Sequence, residues 1–172
     1  MTLNTSTREP WLRGTLKEAP AVHRAVLHAL ELAEEDIRRW CGDFTAEELN
    51  ERPAGIASVG LHLRHIARSV DRLLTYAEGR VLSEKQMAEL KSEMDACTST
   101  EEELAELRGA MEKAARRVRA LEREDLEEER VVGRELLHTS LGGLLVHVAE
   151  HTQRHVGQAI TTAKVVRGAR KT

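Results

Sequence analysis

The stretch His147-Val148-Ala149-Glu150-His151-Thr152-Gln153-Arg154-His155 sets three histidines at four-residue intervals. Residues i and i+4 lie one above the other on a helix, so His151 and His155 can aim ring nitrogens at one shared ion. His147 and Gln158 extend the same stripe, and Leu144 and Val148 flank it, so this face borders a core rather than open water. Thr139 or Ser140 is expected to cap the helix, which runs to about Val166 before Gly168. At ~1.5 Å rise per residue such a helix is roughly 40 Å long.

A second histidine pair, His62 and His65, lies on another apolar-periodic segment, so two short stretches hold five of the eight histidines. Ser58 is placed to cap that segment, and Val59, Leu63, Ile66, Val70, Leu73 and Leu74 recur every three or four residues to about Ala77, before Gly79. His62, Ile66, Ser69 and Leu73 share one face there. An earlier helix starts at Pro20 and carries Val22, Val26, Leu27, Leu30, Ile37 and Trp40 to a stop at Gly42. Thr45 to Glu48 is a capping-box pattern for a short turn, and Pro53 and Gly55 break the chain after it. Ser83-Glu84-Lys85-Gln86 and Ser99-Thr100-Glu101-Glu102 are two further helix starts. They lead into a charged helix with Leu104, Leu107, Met111, Ala114, Val118 and Leu121 on one face.

Arg123 to Arg130 is charge-dense and reads as a linker or a fraying helix end, and no strand alternation stands out. Gly142, Gly143 and Gly157 are expected to let neighbouring helices approach closely. These elements predict an all-α protein, a four-helix bundle with short extra helical turns in the connections. Residues 1–19 form an N-terminal extension, 20–168 the bundle and 169–172 a basic tail.

With 172 residues the chain can bury a full core. Its single Phe, single Tyr and two Trp leave that core to Leu, Ala, Val and Ile, which favours helix on helix. A formal net charge of -3 speaks against a nucleic-acid partner, and the basic run Lys164, Arg167, Arg170, Lys171 suits a solvated helix C-terminus. Cys41 and Cys97 lack metal-type spacing. With no membrane-length apolar run and a polar start, the expectation is a cytoplasmic protein with free thiols and no membrane association. The apolar helix faces suggest a homodimer.

Two histidines from one helix and one from a facing helix can occupy a triangular face around a divalent ion, leaving a position open. Neutral imidazole suits zinc, nickel, copper or iron, with zinc or nickel preferred here. His23, His28 and His138 read instead as ordinary hydrogen-bonded or solvated residues. Glu135 and His138 form a Glu-x-x-His pair, but a di-metal bundle needs a second copy and none occurs.

The segments Gly60-Leu61-His62-Leu63-Arg64-His65-Ile66-Ala67-Arg68-Ser69 and His147 to Gln158 together resemble the DinB/YfiT-like superfamily. Those proteins are four-helix bundles, many holding a divalent metal through one histidine of the second helix and a His-x3-His pair of the last. The resemblance implies His65, followed by Ile66-Ala67, and the pair His151 and His155 as metal ligands. Gly157 and Gln158 match the end of a His-Arg-Gly-Gln signature, whereas Val156 replaces its arginine, removing any role that side chain carries. His62 and His147 each precede an implied ligand by one turn and are secondary ligand candidates, hydrogen-bond partners of the ligand rings or substrate contacts. The likeness spans about residues 20 to 166.

From the resemblance we expect a metal-dependent thiol S-transferase acting on a small-molecule substrate with a low-molecular-weight thiol cosubstrate. The ion would lower the thiol pKa and present a thiolate to an electrophile. A metal-dependent hydrolase is the alternative, as is a non-catalytic metal-stabilised stress or partner-binding bundle. Ser69 and Gln158, on the two ligand faces, are the candidates to orient ligands or substrate. Ligation by imidazole also predicts metal loss as pH falls below about 6.

Overall fold

The computed structural model describes residues 8–169. Four long helices make the bundle: α1 (Ala21–Cys41), α3 (Val59–Ala77), α5 (Thr100–Ala120) and α6 (Leu141–Ala169), with α2 (Ala46–Asn50) and α4 (Glu84–Lys91) in the connections. Their limits follow local chemistry. Ser58 Oγ accepts from Leu61 N to open α3, and reciprocal capping boxes at Thr45/Glu48 and Ser83/Gln86 open α2 and α4. Pro20 stands just before α1 rather than inside its first turn, and its carbonyl accepts from Arg24 N.

α6 packs against α3 and α1, and α5 packs against the same two from the other side. The ring order is therefore α1–α6–α3–α5, and the consecutive long helices α1 and α3 lie on a diagonal. The link through α2 and the 3-10 turn Pro53–Gly55 crosses one end of the bundle. That crossing leaves α6 seated between α1 and α3, with its histidine stripe facing α3. Leu30 and Ile37 of α1, Leu63, Ile66 and Val70 of α3, Met111 of α5, and Leu145, Val148 and Val156 of α6 are all buried. Their apolar burial is what holds the four helices together.

The charge-dense stretch after α5 is not simply linker. Its last two residues, Glu129 and Arg130, open an antiparallel hairpin, β1 (Glu129–Val132) and β2 (Leu137–Ser140), with Arg130 opposite Thr139 and Val131 opposite His138. The alternation is only four residues long and carries charge, so hydrophobic periodicity could not reveal it. Arg130 is buried and donates from Nε to the Ala77 carbonyl at 2.7 Å, pinning the hairpin on the end of α3. The start of α6 is tied to the residues before β1, through Leu141 N to Glu128 O (2.9 Å) and Gly142 N to Leu126 O (2.8 Å). Ser140 is the residue that caps α6, accepting from Gly143 N at 3.1 Å.

The glycine expectation is corrected in the same place. A Cβ on Gly142 would meet Leu126, in the segment before β1, and one on Gly143 would meet Thr139 Oγ1 of β2, so neither makes room for a neighbouring helix. Gly157 faces open space. The tight helix position is Gly60 in α3, where a Cβ would collide with Cys97 Sγ and stand 3.1 Å from the Leu49 carbonyl. Residues 8–19 lie along α1, where Arg13 spans Glu31 (2.7 Å) and Glu35 (2.6 Å). Within the C-terminal basic run, Lys164 stands 4.4 Å from the Trp40 ring centroid and Arg167 pairs with Asp43, while Arg170 and Lys171 lie outside the described residues. Among the described residues, no helix is long and apolar enough to cross a membrane.

Candidate metal centre

Because α3 and α6 pack side by side, the two histidine clusters meet. One ring nitrogen from each of His65, His151 and His155 lies within 4.8 Å of the other two. The ring centroids stand 4.3 Å apart for His65 and His155, 4.6 Å for His151 and His155, and 5.0 Å for His65 and His151. The Nε2 atoms of His65 and His151 are separated by 3.3 Å.

Hydrogen bonding fixes what those nitrogens present. His65 Nδ1 lies 2.8 Å from Oε2 of Glu93, whose other oxygen accepts from Arg72 Nη1 at 2.6 Å. Burial alone would raise the Glu93 pKa, but the hydrogen bonds from His65 and Arg72 outweigh it and hold the carboxyl below its ordinary range. An ionised carboxylate only accepts, so His65 donates from Nδ1, and the neutral ring then keeps its Nε2 lone pair for the interior of the site. Ser69 donates to the Ile66 carbonyl at 3.3 Å, leaving its lone pairs toward His151 Nδ1 at 3.5 Å. His151 thereby also keeps Nε2 for the interior of the site.

Two Nε2 lone pairs facing each other repel unless a proton or a cation lies between them. Nitrogens that are each about 2.0–2.1 Å from a tetrahedral zinc stand roughly 3.3–3.4 Å apart, so the His65–His151 spacing suits a shared ion. Charge state agrees. Burial, and then the charge on neighbouring His65, push His151 and His155 down to about 4, so both rings are neutral at pH 7. Neutral imidazole is the form that ligates. His62 is lowered as well, by burial first and His65 second.

Among the remaining sequence candidates, Ser69 is buried, with Oγ 3.5 Å from His151 Nδ1. Gln158 is exposed, on the turn after His155. His147 is half-buried and turns Nδ1 to Glu150 at 2.6 Å, its ring 5.4 Å from that of His151. His62 is buried, with Nδ1 3.2 Å from His155 Nδ1. Both stand outside the three-ring cluster. Val156, at the position of the signature arginine, is buried in the core.

His23 and His28 are held by Leu121 O and Thr15 Oγ1 at 3.1 and 3.2 Å, and His138 is an exposed strand residue paired with Glu129. Glu93 is the site residue that sequence reasoning missed. It follows α4, 28 positions from His65, with no periodicity or motif to mark it.

A family model described as the DinB superfamily matches residues 29–159. Among solved structures the chain is similar to YfiT from Bacillus subtilis, described as a probable metal-dependent hydrolase with an unusual four-helix bundle topology. The TM-score is 0.62 at 18% identity, covering 85% of this chain and 87% of that one, a likeness that shows the fold. No curated protein matches the chain.

Proposed function

Since the chain belongs to the DinB superfamily, we propose that it is a metal-dependent enzyme whose divalent ion is held by His65, His151 and His155. The observation that carries this is the convergence of three imidazoles, with the His151 and His155 rings neutral at pH 7 and the Nε2 atoms of His65 and His151 only 3.3 Å apart. When bound, the ion supplies Lewis acidity at an open position, where a thiol or a water becomes a nucleophile at neutral pH.

The protein's own part is positional. Glu93 and Arg72 hold the His65 ring, Ser69 backs His151, and the apolar packing of α3 on α6 fixes the distance between ligand helices. His147 stands half-buried beside the cluster, its side chain 40% exposed and aligned by Glu150, which suits it to contact an incoming small molecule.

We take thiol S-transfer as the first form of this activity, in line with the thiol-using members of the superfamily. Hydrolysis is the second form, favoured by the description of the similar YfiT fold. The test is metal analysis of tag-free, zinc-loaded protein, followed by two parallel screens: thiols against electrophiles, and esters or amides in water. About one zinc per chain, lost in His151→Ala, is expected. No retained metal after loading would overturn the reading, and the responding screen selects the nucleophile.

A further inference from the structure

Two of the three ligand rings have a recognisable acceptor at Nδ1: the Glu93 carboxylate for His65 and the Ser69 hydroxyl for His151. The third ring, His155, meets His62 there, Nδ1 to Nδ1 at 3.2 Å. His62 is buried, at 5% exposure, and comes from the opposite ligand helix one turn before His65. We propose that His62 is a positioning residue, the hydrogen-bond acceptor that holds His155 in its Nδ1-protonated tautomer, and not a fourth ligand. This rests on the metal reading above.

The proton inventory of the two rings allows only one direction. A neutral imidazole has one N–H and one lone pair, so in a contact between two Nδ1 atoms one ring donates and the other accepts. If His62 donated, His155 would carry its proton on Nε2 and have no lone pair for the ion. If His155 donates, its Nε2 lone pair is free to join those of His65 and His151, and His62 keeps its own proton on Nε2. Only the second arrangement leaves all three Nε2 atoms equivalent.

Geometry agrees. The set of ligand atoms within 4.8 Å of one another comprises His65, His151 and His155, and His62 lies outside it. Its ring centroid is 5.4 Å from that of His155, whereas His65 is at 4.3 Å. The ion then has three protein ligands, and the open position needed for chemistry persists despite a fourth histidine nearby.

The experiment uses full-length protein labelled with 15N-histidine, metal-free and zinc-loaded, together with zinc affinities by chelator competition for the wild type, His62→Leu and His62→Asn. Long-range proton–nitrogen correlations distinguish the two tautomers and a metal-bound nitrogen. Expected are an Nδ1-protonated His155 in both states and a His62 without a metal-bound nitrogen. Zinc affinity should fall about 10–100-fold in His62→Leu, with recovery in His62→Asn, whose amide oxygen reaches the position of Nδ1.

A zinc-shifted His62 nitrogen, or wild-type affinity in His62→Leu, overturns the proposal and leaves the metal reading intact. A wild type that takes no zinc sinks the metal reading instead. The metal-free spectrum then still decides on His62, since an Nε2-protonated His155 refutes it. Should His62→Leu fail to fold, the wild-type spectra and His62→Asn carry the decision.

Discussion

Glu93→Gln should separate stability from metal binding in one variant. Glu93 has two dependants, Arg72 at 2.6 Å and His65 at 2.8 Å, and the side chains of Arg72 and Glu93 are only 10% and 8% exposed. Glutamine keeps one carbonyl oxygen. If that oxygen serves Arg72, the amide NH2 faces the His65 Nδ1 proton, and the ring must turn or shift its proton to Nε2, where the ion would bind. Removing one partner of a buried ion pair costs about 3–5 kcal/mol, and the retained hydrogen bond puts this variant near the lower figure, about 3 kcal/mol. That is a large part of the ~5–15 kcal/mol that holds a domain folded.

Urea unfolding of metal-free protein reads the first effect. Chelator competition for zinc reads the second, with a loss of about 10–100-fold expected from disturbing a partner of a metal ligand. Metal-free Glu93→Gln as stable as the wild type within about 1 kcal/mol would refute the account of Glu93 as counter-charge to Arg72. Zinc affinity unchanged within about threefold would refute its part in orienting His65.

The depressed values of His151 and His155 set a pH dependence. The unfolded chain binds protons near the ordinary 6.5 and the folded one only near about 4, so stability of metal-free protein is full above pH 6.5 and lost as pH falls toward 4. Thermal melts across that window should show it, and the His151→Ala, His155→Ala double variant should flatten it. For the same reason, zinc release should fall below the pH 6 typical of ordinary imidazole, measurable by dialysis at stepped pH. Gly60→Ala should destabilise the protein by about 1–3 kcal/mol through its clash with Cys97 and Leu49, whereas Gly157→Ala should be neutral or stabilise α6 by up to about 1 kcal/mol. Denaturant midpoints decide both. Arg130→Met should cost about 1–3 kcal/mol by leaving the Ala77 carbonyl without its donor, read by the same midpoints.

The bundle was legible because its signals are local. Ser58, Ser83, Ser99 and the Thr45/Glu48 pair are helix starts that the backbone uses as written, and the spacing from His151 to His155 needs only helix geometry to place both rings together. Pairing those rings with His65 required α3 to lie beside α6, which periodicity alone does not dictate; the resemblance supplied it. The hairpin was missed because strands of four residues, one with a buried arginine, show no clean alternation. Glu93 was missed because its meaning exists only across a tertiary contact. Gly157 misled for the opposite reason: a small residue in a helix signals close packing only where something approaches.

The ties from Glu128 and Leu126 to the first residues of α6 act as a phase stop for that helix. An extra residue at the hairpin tip, between Gly133 and Leu136, can bulge into solvent and leave every ring where it was. The same insertion between Leu141 and His147 would turn the rest of α6 by about 100° and carry both ligand rings off the shared face. Length variation in this part of the chain is thus confined to one side of Ser140.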